Sequence, residues 1–132
     1  MTTGLNRGSL TMTDYIQQLS NKALANDYFR QVVASGDNMQ VVIMSLQPNE
    51  DIGMEVHEHN EQLLYCVQGK GRLIIDDTEA AFNSGDLALV RAGLRHNFIN
   101  GGEEPMKIIT VYSPPHHPEG TVQQLKADAG AY

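Results

Sequence analysis

Two histidines two residues apart, in Val56-His57-Glu58-His59, are the part of this sequence best suited to chemistry. Side chains at i and i+2 of a strand point to the same face, roughly 7 Å apart along the backbone. Two imidazoles so placed can converge on one divalent ion if a third ligand arrives from a neighbouring strand, with nitrogen–zinc distances of about 2.0 to 2.1 Å. Alone, the pair does not distinguish a chelate from two ordinary surface or core histidines. Glu55 has the phase of His57 and His59. It is therefore the candidate catalytic group, able to move protons or bind a metal water, the alternative being a solvated strand end.

Other reactive types are weaker candidates. Cys66 is the single cysteine, so it can neither close an intrachain disulfide nor pair with another thiolate around a structural zinc. A buried free cysteine behaves as a small hydrophobe. Tyr65 reads as core packing, and Arg91 and Arg95 as surface residues or as holders of a carboxylate or phosphate. His116 and His117 sit between prolines and read as exposed backbone.

The elements that must position these groups are short. A helix capped by Thr13 or Asp14, with Tyr15, Ile16, Leu19 and Ala23 at helical spacing, is expected to end near Asn26. Thereafter β-rich runs alternate with turn clusters. Strands are expected at 28–34, 39–46, 54–59, 63–68, 72–76, 79–82, 86–90, 97–100 and 106–112. Asn100-Gly101 is the strongest hairpin signal among the turns. Beyond Tyr112 the prolines cannot donate to a ladder, so the tail is expected to cross the barrel surface as an extended strap. The chain thus divides into an N-terminal segment with a short helix (1–27), a β-barrel domain (28–113) and an extended tail (114–132).

The spacing of the chemical groups resembles the cupin family. Its first motif runs Gly, five residues, HxH, three or four residues, Glu, six residues, Gly. Here 53–69 supplies the histidines and the closing Gly69, although Gly53 stands two residues too close to His57. The second motif, Gly, five residues, Pro, one residue, Gly, two residues, His, three residues, Asn, appears as Gly85, Arg91, Gly93, His96 and Asn100, with arginine in place of proline. The 15 residues between Gly69 and Gly85 match the short spacing of compact bacterial cupins. The resemblance covers about 39–112 and implies an all-β double-stranded β-helix, or jelly-roll barrel, with the short helix as an addition.

Carried onto this sequence, the resemblance makes His57, His59 and His96 metal ligands. Counting back from Gly69, the fourth position falls on Gln62, where the family usually has Glu, and similar cupins often carry Gln in the sequence Asp/Glu-Gln. Glu61 is adjacent and stays open as the alternative, because a one-residue shift turns a side chain to the opposite face. Neutral ligands would leave the ion's double charge in place, making it a strong Lewis acid. Manganese, iron, nickel, cobalt and zinc all fit such donors.

The same family hosts many chemistries, so fold does not select one. One expectation is a metal-dependent enzyme acting on a small oxygenated substrate, either sugar-isomerase-like, as mannose-6-phosphate isomerase, or a dioxygenase. The other is a non-catalytic metal-dependent binding or sensing module. A formal charge of −7, from 16 acidic against nine basic residues, disfavours nucleic acid and anionic membrane as partners. No apolar run approaches the roughly 20 residues of a membrane helix, and 1–12 lacks the pattern of a secretory signal. A cytoplasmic homodimer with a small-molecule ligand is expected.

Overall fold

Burial alternates along the strands and sets two antiparallel sheets face to face. The computed structural model describes residues 16–129. Helix α1 (Leu19–Ala25) precedes β1 (Arg30–Ser35), β2 (Gln40–Leu46), β3 (Glu55–Val56), β4 (Glu61–Gln68) and β5 (Lys70–Ile75). Then follow β6 (Thr78–Asn83), β7 (Leu87–Val90), β8 (Arg95–Asn100), β9 (Met106–Ser113), β10 (Val122–Gln123) and a 3-10 turn at Lys126–Asp128. One sheet has the order β10-β1-β2-β9-β4-β7 and the other β3-β8-β5-β6. This is the expected all-β jelly roll, with one short helix near the start.

Val42, Met44 and Leu46 of β2 and Leu64 and Cys66 of β4 point into the space between the sheets, where they meet Leu73, Phe82 and Phe98 of the opposing sheet. Burying one such large apolar side chain contributes about 1.5–3 kcal/mol. Ile43 has the outward phase yet is fully buried, because α1 packs across β2, β4 and β9. Lys107 Nζ donates to the carbonyl of Asn26, placing a cation at the helix C-terminus. Among the described residues no helix is long and apolar enough to cross a membrane.

Four expectations meet a different outcome. The helix begins at Leu19, with Ile16 outside it, and Thr13, Asp14 and Tyr15 lie outside the described residues. Asn100-Gly101 is not a hairpin, because β8 and β9 belong to different sheets. The fully buried Asn100 donates instead to the carbonyls of Leu46 and Glu104, which stitches the passage between sheets. The two-residue hairpin lies at Asp76-Asp77, where Ile75 pairs with Thr78 and Asp76 takes φ 50°. The strand expected over 54–59 covers only Glu55–Val56. Finally, the tail is not merely a strap, since it adds β10 alongside β1.

Two glycines are required by close approach. A Cβ on Gly71 would lie 2.4 Å from the carbonyl oxygen of Ile99 on the neighbouring strand β8. Gly69, at φ +130°, has Met106 3.0 to 3.2 Å from where a Cβ would stand. The turn that ends β4 therefore accepts no side chain without displacement.

Candidate metal centre

Pairing of β3 with β8 creates the site, since Glu55 and His96 are direct cross-strand partners. His57 follows one residue after β3 ends, and its carbonyl accepts the N–H of Gly93 at 2.9 Å. That bond ties the turn before β8 to the segment after β3. The ligand atoms of Glu55, His57 and His96 all lie within 4.8 Å of one another. The two imidazole rings stand 5.1 Å apart at 51°. Glu55 Oε1 is 3.7 Å from His57 Nε2, beyond hydrogen-bond range.

His96 is fully buried and its Nδ1 lies 3.1 Å from the carbonyl oxygen of Leu94. A carbonyl only accepts, so Nδ1 carries the proton and Nε2 keeps its lone pair. Burial lowers the His96 pKa, against the opposing pull of the Leu94 carbonyl, and favours the neutral imidazole. A backbone acceptor that fixes the tautomer in this way is the usual outer support of a metal-binding histidine.

Gln62 faces inward on β4, whereas Glu61 is exposed. Its amide nitrogen donates to Thr110 Oγ1 at 3.0 Å and to the Tyr112 hydroxyl at 3.2 Å. Among the described residues the carbonyl oxygen Oε1 has no hydrogen-bond partner, and neither do Glu55 Oε1, His57 Nε2 or His96 Nε2, all buried. Buried polar atoms left unpaired cost on the order of 1–3 kcal/mol each. A divalent ion would satisfy several at once, and imidazole nitrogen, carboxylate and amide oxygen are suitable donors. The residues present fit a metal.

His59 is not brought into this group. It is exposed and lies past the end of β3, where the two-residue periodicity that would have set it beside His57 no longer operates. The position that shares a face with His57 is the preceding one, Glu55. Arg91 and Arg95 are exposed, and Tyr65 lies on the outward side of β4. Cys66 points inward with its pKa raised to about 11 by burial, which keeps the thiol protonated and unreactive.

His116 and His117 are not exposed backbone. His117 is buried, and the half-buried His116 places its ring 4.3 Å from that of His57. Both rings contact buried Tyr112. Burial lowers both histidine pKa values, that of His117 to about 3, and raises that of Tyr112. The inward phase of Thr110 and Tyr112 follows from strand alternation along β9. Nothing in the Pro-flanked pair signalled that it folds back.

The fold agrees with comparison to known proteins, for the profile of the cupin domain family matches residues 42–112. The chain belongs to the cupin family. Among similar proteins, the Bacillus subtilis protein YrkC is 36% identical over 123 residues, covering 89% of this chain. The chain spans 66% of the length of YrkC. The Acanthamoeba polyphaga mimivirus protein L612 is 31% identical, with 88% of this chain and 75% of that protein covered. The crystal structure of BH2720 from Bacillus halodurans superposes with a TM-score of 0.86 at 34% identity, covering 87% of this chain and 92% of its own.

Proposed function

We propose that this cupin is a metal-dependent enzyme acting on a small oxygenated substrate, and that its chemistry is of the oxygenase type. The observation that carries the reading is the convergence of Glu55, His57 and His96 within 4.8 Å. Two histidines and one carboxylate leaving open positions are the donor set of non-haem iron oxygenases. The carboxylate would also neutralise part of the ion's charge, a role distinct from the free base expected of Glu55. A bound redox-active ion would supply oxygen chemistry at its open positions. The protein's own part is to hold His96 in one tautomer through Leu94 and to aim the Gln62 carbonyl inward through Thr110 and Tyr112.

The isomerase reading is less well supported for a phosphorylated sugar, because a net charge of −7 repels a phosphate ester. The deciding experiment loads the protein with Fe(II) and follows oxygen consumption with small keto acids, phenols and catechols. Substrate-dependent oxygen uptake that Glu55→Ala abolishes is expected. Isomerisation of sugars with zinc and no oxygen uptake would contradict the oxygenase reading, and tight substrate binding with no turnover would favour a binding module.

The reading includes a homodimer. Leu87 and Leu89 project outward from β7 at the edge of its sheet, 61% and 55% exposed. In register beside them run Tyr65 and Leu63 of β4, followed by Ile109 and Val111 of β9. An apolar row ending on a strand whose outer edge is unpaired among the described residues supports pairing with a second copy.

A further inference from the structure

The segment 113–118 is proline-rich, and its three prolines lack the N–H a ladder needs, yet two buried amides hold it in place. Gln40 on β2 is 1% exposed. Its Oε1 accepts the backbone N–H groups of His116 at 3.1 Å and His117 at 2.9 Å, and its Nε2 donates to the His117 carbonyl at 2.7 Å. Asn60 donates to the carbonyl of Pro114 at 2.5 Å. Further along, Lys126 is ion-paired with Asp51 on the segment leading to β3. The tail is thus fastened on both sides of the site.

These bonds have a geometric consequence at the metal centre. The His116 ring meets the His57 ring edge-on, 4.3 Å away at 64°, and stacks on Tyr112 at 5.3 Å and 29°. Tyr112 in turn accepts from Gln62, so His116 touches groups on two sides of the donor cluster. It stands beside the Glu55, His57 and His96 set and is not one of the three. An ion held by such a set retains positions for exogenous ligands. A second imidazole packed against a ligating one is placed to meet what enters them.

Resting on the metal-centre reading above, we propose that His116 is a specificity-determining residue of the site, contacting the exogenous ligand bound at the ion. The ligand class is a small molecule that offers an anionic or carbonyl oxygen, or an equivalent anionic acceptor, to the imidazole. Gln40 is the positioning residue, acting through the backbone of the strap. The tail is then part of the active-site wall, and its Pro-His-His-Pro sequence is functional.

The test uses the full chain loaded with Co(II), whose visible absorption reports coordination, with azide as the exogenous probe. Wild type, His116→Ala, His116→Asn and His57→Ala are compared for cobalt affinity and then for azide affinity. His116→Ala should bind cobalt within about threefold of wild type while azide binding weakens about tenfold, the loss of one hydrogen bond to a charged group. His116→Asn, which keeps a donor, should recover part of the loss. Unchanged azide affinity in His116→Ala would overturn the proposal. So would loss of cobalt equal to that of His57→Ala, which would make His116 a ligand. Failure of wild type to bind cobalt would sink the metal-centre reading itself, a result separable from either.

Discussion

At the scale of residues, the centre depends on which atoms are left unpaired by the protein itself. Gln62 spends its amide nitrogen on Thr110 and Tyr112, which leaves the carbonyl oxygen without a hydrogen-bond partner among the described residues. Replacing Gln62 with leucine should weaken divalent-metal affinity by about tenfold or more, while His59→Ala, at an exposed position, should leave it within about twofold. Titration of the apo-protein with Co(II) checks both, and a large loss in His59→Ala would contradict the placement described. The inward, buried positions of Gln62 and His96 were legible in the sequence because their motif intervals to Gly69 and Gly93 are intact. Which of Gln62 and Glu61 faces inward needed the strand register, which a run apolar on both faces, Leu63 to Val67, does not reveal. His59 stands apart from the group because the same-face rule for i and i+2 presumes a strand, and β3 is only two residues long.

Among the elements, most strands were readable within a residue or two, since β-rich runs were bracketed by Gly, Asn, Asp and Ser. The turn identities were less so. Asn100-Gly101 has the composition of a hairpin, but the buried Asn100 side chain bridges two sheets, a long-range role that local sequence does not show. The tail was read as a strap because prolines cannot join a ladder; its return to the sheet as β10 depends on side chains elsewhere, including the buried Arg30–Gln123 bond at 2.8 Å. Contact between strands gives one prediction. Gly71→Ala would drive a methyl into the Ile99 carbonyl, 2.4 Å away, and should destabilise the protein by about 1–3 kcal/mol as β5 and β8 move apart. Chemical denaturation measures it, and an unchanged midpoint would show that the strands accommodate the methyl without cost.

For the whole molecule, burial of histidines couples stability to pH. His96, His116 and His117 all have pKa values lowered from 6.5, chiefly by burial, that of His117 to about 3. In each case the unfolded chain binds the proton more tightly. Stability is therefore complete above about pH 6.5 and is lost as pH falls below it toward the folded-state values. The metal-free protein should show a Tm that declines steadily from pH 7 to pH 4, with a smaller decline in His117→Phe, as followed by circular dichroism. A Tm independent of pH over that range would contradict the buried neutral state. The outer apolar row predicts a dimer at micromolar concentration by light scattering, converted to monomer by Leu87→Glu with Leu89→Glu; a monomeric wild type would remove β7 as an interface.

The central claim is that Glu55, His57, Gln62 and His96 hold one divalent ion. Metal content measured by plasma mass spectrometry, on protein purified without a chelating tag, addresses it most directly when His57→Ala and His96→Ala are measured alongside. Near one equivalent of metal in the wild type, lost in both variants while each remains folded, is the predicted result. Wild-type protein that holds no metal, before or after reconstitution with manganese, iron, cobalt, nickel and zinc, would contradict the account and leave a barrel whose buried imidazoles serve a metal-free ligand.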